Sequence, residues 1–163
     1  MARMLPWRAS LALFLGLGLL AGCGSGDDDS ATPEACLGGA DAFVDALADA
    51  PDEVLVDGTP LGECLADDQE IGQIAEVGEG LVAAATELGR RARRDPLGEP
   101  TVQLGYLVGT VEARAETTGG IHEDLALRVE SAALFLPEDE ILPGGFAQRY
   151  EEGLAAGREN ASS

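Results

Sequence analysis

The sequence predicts an all-α protein, a small bundle of about four to five helices that follows a disordered tether. Apolar residues between positions 67 and 94 recur at alternating steps of three and four, the period of one face of a helix. Residues 101–117 open with an almost wholly apolar run, as a central helix would. Gly and Pro clusters cut the chain into segments of helical length.

The tether covers residues 23–35 and begins Gly24-Ser25-Gly26-Asp27-Asp28-Asp29-Ser30. Small, polar and acidic residues bury too little apolar surface to offset their ordering entropy. The three aspartates lack the spaced acids and distal Glu of a calcium loop, so they read as a solvated spacer. The bundle domain then occupies residues 36–158, with a frayed tail at 159–163. A first helix is predicted over residues 40–50, with Phe43, Val44 and Leu47 on one face and Pro51 ending it. Asp57-Gly58 marks a turn. Thr59-Pro60 reads as an N-cap followed by Pro at the first helical position. The short helix it opens carries Leu61, Cys64 and Leu65.

The strongest periodic signal lies in residues 67–94. Ile71, Ile74, Ala75, Gly78, Leu81, Val82, Ala85, Leu88, Gly89 and Ala92 form its apolar stripe. Asp67, Asp68 and Glu70 stand at its start, and Arg90, Arg91, Arg93 and Arg94 at its end, as the helix dipole favours. A connector, Asp95-Pro96-Leu97-Gly98-Glu99-Pro100, leads to the helix over residues 101–117. Val102, Gly105 and Gly109 form one edge of that helix, and Leu104, Leu107, Val108 and Val111 the other. A β-strand over residues 102–108 competes with this reading; the long helical neighbour and the connector length favour a helix. After Gly119-Gly120 a further helix is predicted over residues 121–136, burying Ile121, Leu125, Val129, Ala132, Ala133 and Leu136. An acidic loop ends at Pro143-Gly144-Gly145, and a last helix over residues 146–158 uses Phe146, Tyr150, Leu154 and Gly157.

The first 22 residues differ in character. Arg3 and Arg8 precede the uncharged run LALFLGLGLL at residues 11–20. A bilayer core of about 30 Å requires roughly 20 apolar residues, so this run has the length of a signal-peptide core instead. It closes on Leu20-Ala21-Gly22-Cys23, which resembles the lipobox of bacterial lipoproteins. The resemblance implies diacylglycerol transfer to the Cys23 thiol and cleavage after Gly22. Residues 1–22 are then a lipoprotein signal peptide, and the partner is a membrane, held through the lipid on Cys23. The domain would face away from the cytoplasm on the cell membrane or an outer membrane. Two acyl chains anchor stably where one is marginal.

With Cys23 lipidated, Cys36 and Cys64 are left as a pair, and outside the cytoplasm the default for such a pair is a disulfide. A metal or redox pair is the rival, disfavoured by the long spacing, the absence of a Cys-x-x-Cys motif and the lack of nearby histidine.

After removal of the signal, eight arginines face thirty acids, a net charge near −22, with no lysine. Such a surface disfavours nucleic acid. His122 is the only histidine and is expected to be exposed in the first turn of its helix. Ser131 lies nine residues on, about 13 Å along that helix, too far for a nucleophile–base pair. One histidine supplies neither a di-iron bundle nor an ordinary zinc site, and no phosphate-binding glycine loop occurs. The expectation is a non-enzyme without cofactor or metal. Arg90, Arg91, Arg93 and Arg94 form the only basic cluster of the mature chain, read as a helix end or as a docking patch for a phosphate-bearing envelope polymer or an acidic partner. Two functions follow: an envelope module that binds a partner protein or surface ligand, or a bundle that binds a small molecule or divalent cation in a cavity lined by Gly105, Tyr106 and Gly109.

Overall fold

The computed structural model describes residues 32–133 and 142–161. Cys23 and the lipobox lie outside these residues, as do Leu136 and most of the predicted acidic loop. The described chain is all-α apart from one small hairpin. Its elements are α1 (Gly39–Ala46), β1 (Leu55–Val56), β2 (Thr59–Pro60), α2 (Ile71–Arg94), α3 (Glu99–Thr117), α4 (Glu123–Ala133) and α5 (Phe146–Asn160). Short 3₁₀ turns at Glu34–Leu37, Leu47–Asp49 and Leu61–Cys64 complete them.

α3 is the axis. Every residue from 101 to 111 is buried, as the unbroken apolar run demands, and the helical reading of residues 102–108 holds. α2 reaches α3 through the short connector and runs back along it. Gly78 of α2 packs on Leu125 of α4, and Gly89 on the carbonyls of Ala132 and Ala133, so α2 and α4 run parallel.

The packing of α3 on α5 is set by two pairs of glycines, each pair spaced by four. Gly105 and Gly109 of α3 face the backbone of Tyr150 and Leu154. Gly153 and Gly157 of α5 face the carbonyl oxygens of Val102 and Tyr106. A Cβ at any of the four would overlap a main-chain oxygen. Residues four apart lie on one helix face, so the two bare stripes meet and the helices run parallel with backbones in contact. Close Cα–H to carbonyl contacts are a normal feature of such crossings.

Several expectations are corrected. Thr59 and Pro60 form β2, pairing Val56 with Thr59 and Leu55 with Pro60, and the short helix expected after them is the 3₁₀ turn Leu61–Cys64, with Pro60 rather than Thr59 at its N-cap. Asp57 and Gly58 both have positive φ, 47° and 86°, the two-residue turn that matches the twist of a hairpin. Pro60 fits because it sits at the end of a two-residue strand. In α2 the stripe is right at Gly78, Leu81, Ala85, Leu88, Gly89 and Ala92, and it omits the buried Val77, Gly80 and Ala84. Ile71 and Ala75 are exposed. Ile121 is likewise exposed, ahead of α4. The fold also extends beyond its predicted ends. Thr32 is buried within what was read as tether, and α5 runs on to Asn160 with Ala161 buried against Gly62.

Cys36 and Cys64 are joined in a disulfide, their Cα atoms 5.4 Å apart. Both are fully buried. The bond ties the first 3₁₀ turn to the one after the hairpin.

Candidate functional site

The two ends of α2 define two poles. At its start, a buried polar network joins three segments. Nε2 of Gln69 donates to Oγ1 of Thr32 at 2.6 Å and to the carbonyl of Cys64 at 3.0 Å. The Thr32 hydroxyl donates to Oε1 of Gln73 at 3.2 Å. Both Gln69 donors are used, so its Oε1 accepts from His122, whose Nε2 lies 3.1 Å away. Nδ1 of His122 then accepts from the Thr118 hydroxyl at 3.1 Å. A proton on Nε2 suits the Gln69 oxygen, while Nδ1 faces the Thr118 hydroxyl, which also reaches the carbonyl of Ala115 at 3.5 Å. Burial holds the His122 pKa below the usual histidine range, and the nearby Arg114 charge adds to the effect while Asp67 opposes it. Arg114 itself donates to the carbonyl of Leu65 through Nε and Nη2, at 3.2 and 2.9 Å.

His122 is therefore not exposed, as its place beside Gly120 suggested; it is completely buried. The error is one of register. The residue precedes α4, and the positive φ of Gly119 and Gly120 turns the chain so that His122 enters the core and Ile121 leaves it. Both ring nitrogens are occupied by Thr118 and Gln69, so the ring serves packing and hydrogen bonding. Ser131 is exposed on α4.

At the other pole, α2 ends in the four arginines. Arg90 makes two-nitrogen contact with the Glu87 carboxylate, with Nε at 2.9 Å, and Arg91 Nε approaches it at 2.8 Å. The Arg90 hydrogen bonds, then those of Arg91, pull the Glu87 carboxyl down to about 2. Part of the basic charge is thus matched within α2 itself. Arg90 and Arg94 are exposed, Arg91 and Arg93 half-buried. The connector lies at the same pole, where Leu97 packs against Gly145 and its carbonyl accepts from Arg149 Nε at 3.3 Å.

The cavity expected around Gly105, Tyr106 and Gly109 is filled. The α5 backbone occupies the space beside both glycines. The Tyr106 hydroxyl accepts from the Val54 amide at 3.2 Å and from Asn160 Nδ2 at 3.1 Å, which ties hairpin, axis and last helix together. Sequence reasoning placed these glycines on one edge of α3 but could not see which neighbour they admit; the matching Gly153 and Gly157 spacing was the available signal.

Open grooves lie elsewhere on the described residues, two of them rimmed by acids. One, of about 540 Å³, runs between α1 and the hairpin and has Glu34, Asp45 and Asp57 on its rim. The other, of about 380 Å³, lies among α3, α4 and α5 and is lined by Glu112, Glu116, Glu123, Glu130, Ala126 and Leu127. Arg158 of α5 bonds Glu112 there, Nε to Oε2 at 3.1 Å. Burial raises the Glu130 pKa, as does its hydrogen bond to Glu112. Among the described residues, no three His, Cys, Asp or Glu side chains are grouped so as to hold a metal ion.

No protein-family model matches the chain, and no curated protein and no solved structure matches it. Among the described residues no helix is long and apolar enough to cross a membrane.

Proposed function

We propose that this chain is a lipid-anchored envelope protein whose helical bundle acts as a non-enzymatic interaction module, binding a partner protein or a surface ligand. One observation carries the reading furthest: the tether joins at one end of α2, and the arginine cluster stands at the other. Thr32, where the tether enters, is bonded to Gln69 and Gln73. Arg90 to Arg94 lie about 30 Å along the same helix, at 1.5 Å per residue. A domain held by Cys23 would thus present its only basic cluster away from its own bilayer.

The Cys36–Cys64 disulfide supports the address, since such bonds persist outside the reducing cytoplasm. The acidic remainder of the surface supports selectivity, because the net charge disfavours an anionic ligand away from this cluster. The small-molecule or cation-binding alternative no longer has the lining first expected for it; the two acid-rimmed grooves are the places left to it.

Two variants test the proposal. Cys23→Ala should release the protein from the membrane fraction; a variant that stays membrane-bound refutes the lipid anchor. Replacing Arg90, Arg93 and Arg94 by Gln should abolish co-purification of anionic envelope material with the anchored protein; unchanged recovery refutes the docking role.

A further inference from the structure

We infer that the pole where the tether enters is a bilayer-facing surface, with Ile71 and Ile121 as its lipid contacts. The inference rests on the lipid-anchor reading and goes beyond it, because an anchor alone does not orient the domain.

Three observations converge. First, two large apolar side chains stand out of the packing at this pole, as Leu97 and Leu127 do elsewhere on the described surface. Ile71 is 88% exposed and Ile121 is 46% exposed. Second, their neighbours in the chain meet, which puts both at one end of the bundle. Ile71 is two residues beyond Gln69 and Ile121 immediately precedes His122, and the side chains of Gln69 and His122 meet at 3.1 Å. Third, the chain that would reach the membrane leaves from the same place. Thr32 is bonded to Gln69 at 2.6 Å, and only eight residues separate it from Cys23. At about 3.3–3.6 Å per residue that segment spans at most about 30 Å.

That length decides which pole faces the lipid. For the arginine pole to touch the bilayer, the segment would have to run fully extended along the whole of α2. For the Thr32 pole to touch it, the segment need not extend at all. The tether also raises the local concentration of lipid, so two side chains suffice for a contact that would be too weak between free partners.

The surroundings specify the lipid. Asp67, Asp68, Glu70, Glu123 and Asp124 are all exposed around the two isoleucines. They would repel an anionic bilayer over about a Debye length, near 8 Å at physiological salt. The pole therefore suits a zwitterionic surface, and contact should weaken as anionic lipid is added.

The test uses the full lipidated protein, with lipid on Cys23 verified by mass, in phosphatidylcholine vesicles containing brominated lipid. A fluorophore is attached at Ile71→Cys, at Ile121→Cys, or at Leu97→Cys on the opposite pole. All three positions are exposed, so labelling leaves the core intact. The expected result is loss of fluorescence at 71 and 121 with none at 97, and recovery of the lost signal as phosphatidylglycerol replaces phosphatidylcholine. Vesicle-bound protein with equal signals at all three positions overturns the orientation and leaves the anchor standing. Quenching at 97 that grows with phosphatidylglycerol overturns it in favour of the arginine pole. Shielding at 71 in native membranes but not in vesicles assigns the face to a protein and overturns the lipid contact. Failure of the mass check to find lipid on Cys23 in protein from the membrane fraction refutes the anchor itself, and the orientation with it.

Discussion

Gly153 of α5 rests directly on the carbonyl oxygen of Val102 in α3, and Gly105 of α3 makes the reciprocal approach to the carbonyl of Tyr150. The obstructing atoms are main chain, so no side chain can swing aside. Gly105→Ala or Gly153→Ala must separate the two helices. Overpacking of this kind costs about 3 kcal/mol or more. Gly72→Ala is the control: Gly72 is exposed in α2 with open space around it, and the change should stabilise by about 0.5–1 kcal/mol. Urea denaturation of the three variants checks both signs.

His122 makes stability depend on pH. Its folded pKa lies below the unfolded value, so the unfolded chain binds the extra proton between the two. Stability is therefore full above about pH 6.5 and falls as pH drops through that window. Denaturation midpoints at pH 7 and pH 5 should differ, and the difference should shrink in His122→Gln. An identical slope in the variant would assign the effect to carboxylates.

Thr118→Val removes the donor to Nδ1 of His122 while keeping the side-chain shape. A buried acceptor left unpaired costs about 1–3 kcal/mol. Thr86→Val serves as the comparison, because Thr86 only donates to the carbonyl of Val82 on an exposed face. Its effect should stay within about 0.5 kcal/mol.

Glu87 separates the two roles of the arginines. Its pair with Arg90 is exposed and its pair with Arg91 part-buried, and ion pairs open to solvent contribute little to stability. Glu87→Gln should leave the denaturation midpoint nearly unchanged at pH 7. It should also free two guanidinium groups and tighten binding of a polyphosphate probe at low salt. Weaker binding would show that Glu87 holds the arginines in their binding geometry.

Reduction of the disulfide should cost about 3–4 kcal/mol in the chain-entropy account of a loop of 28 residues. Both sulfurs are buried, so reduction under native conditions should be slow and should accelerate in urea. A rate independent of urea would contradict the burial.

Much of the fold was legible in the sequence because period and punctuation agree. Leu81, Ala85, Leu88 and Ala92 repeat with the helix and are buried. The run from Thr101 to Val111 has no polar face to offer water, and it is the axis. Legibility failed where local chemistry admits two readings. Thr59-Pro60 has the composition of a helix start, yet two positive-φ residues before it already commit the chain to a hairpin. Ile71 and Ile121 carry the apolar character of a core face, but periodicity does not say where the core ends. His122 was misplaced because Gly119 and Gly120 reset the rotation of everything after them. The arginine cluster was found at its helix end; its partial match to Glu87, one turn earlier, depends on side-chain reach. Cys23, at the centre of the expected address, lies outside the described residues, and its lipidation remains a proposal.

The glycine-lined contact between α3 and α5 also has a consequence in time. Residues that meet across it are about fifty positions apart in the chain, as Val102 is from Gly153. Until α5 arrives, the central helix of the bundle has a bare backbone stripe that α5 alone covers. Distant contacts of this kind slow folding, because loop closure precedes their reward. Were the chain exported as proposed, amino-terminal part first, the disulfide loop and α1–α4 would emerge before α5 could cover the stripe. The step that closes the bundle is the docking of α5, and the chain is most open to aggregation or capture just before it.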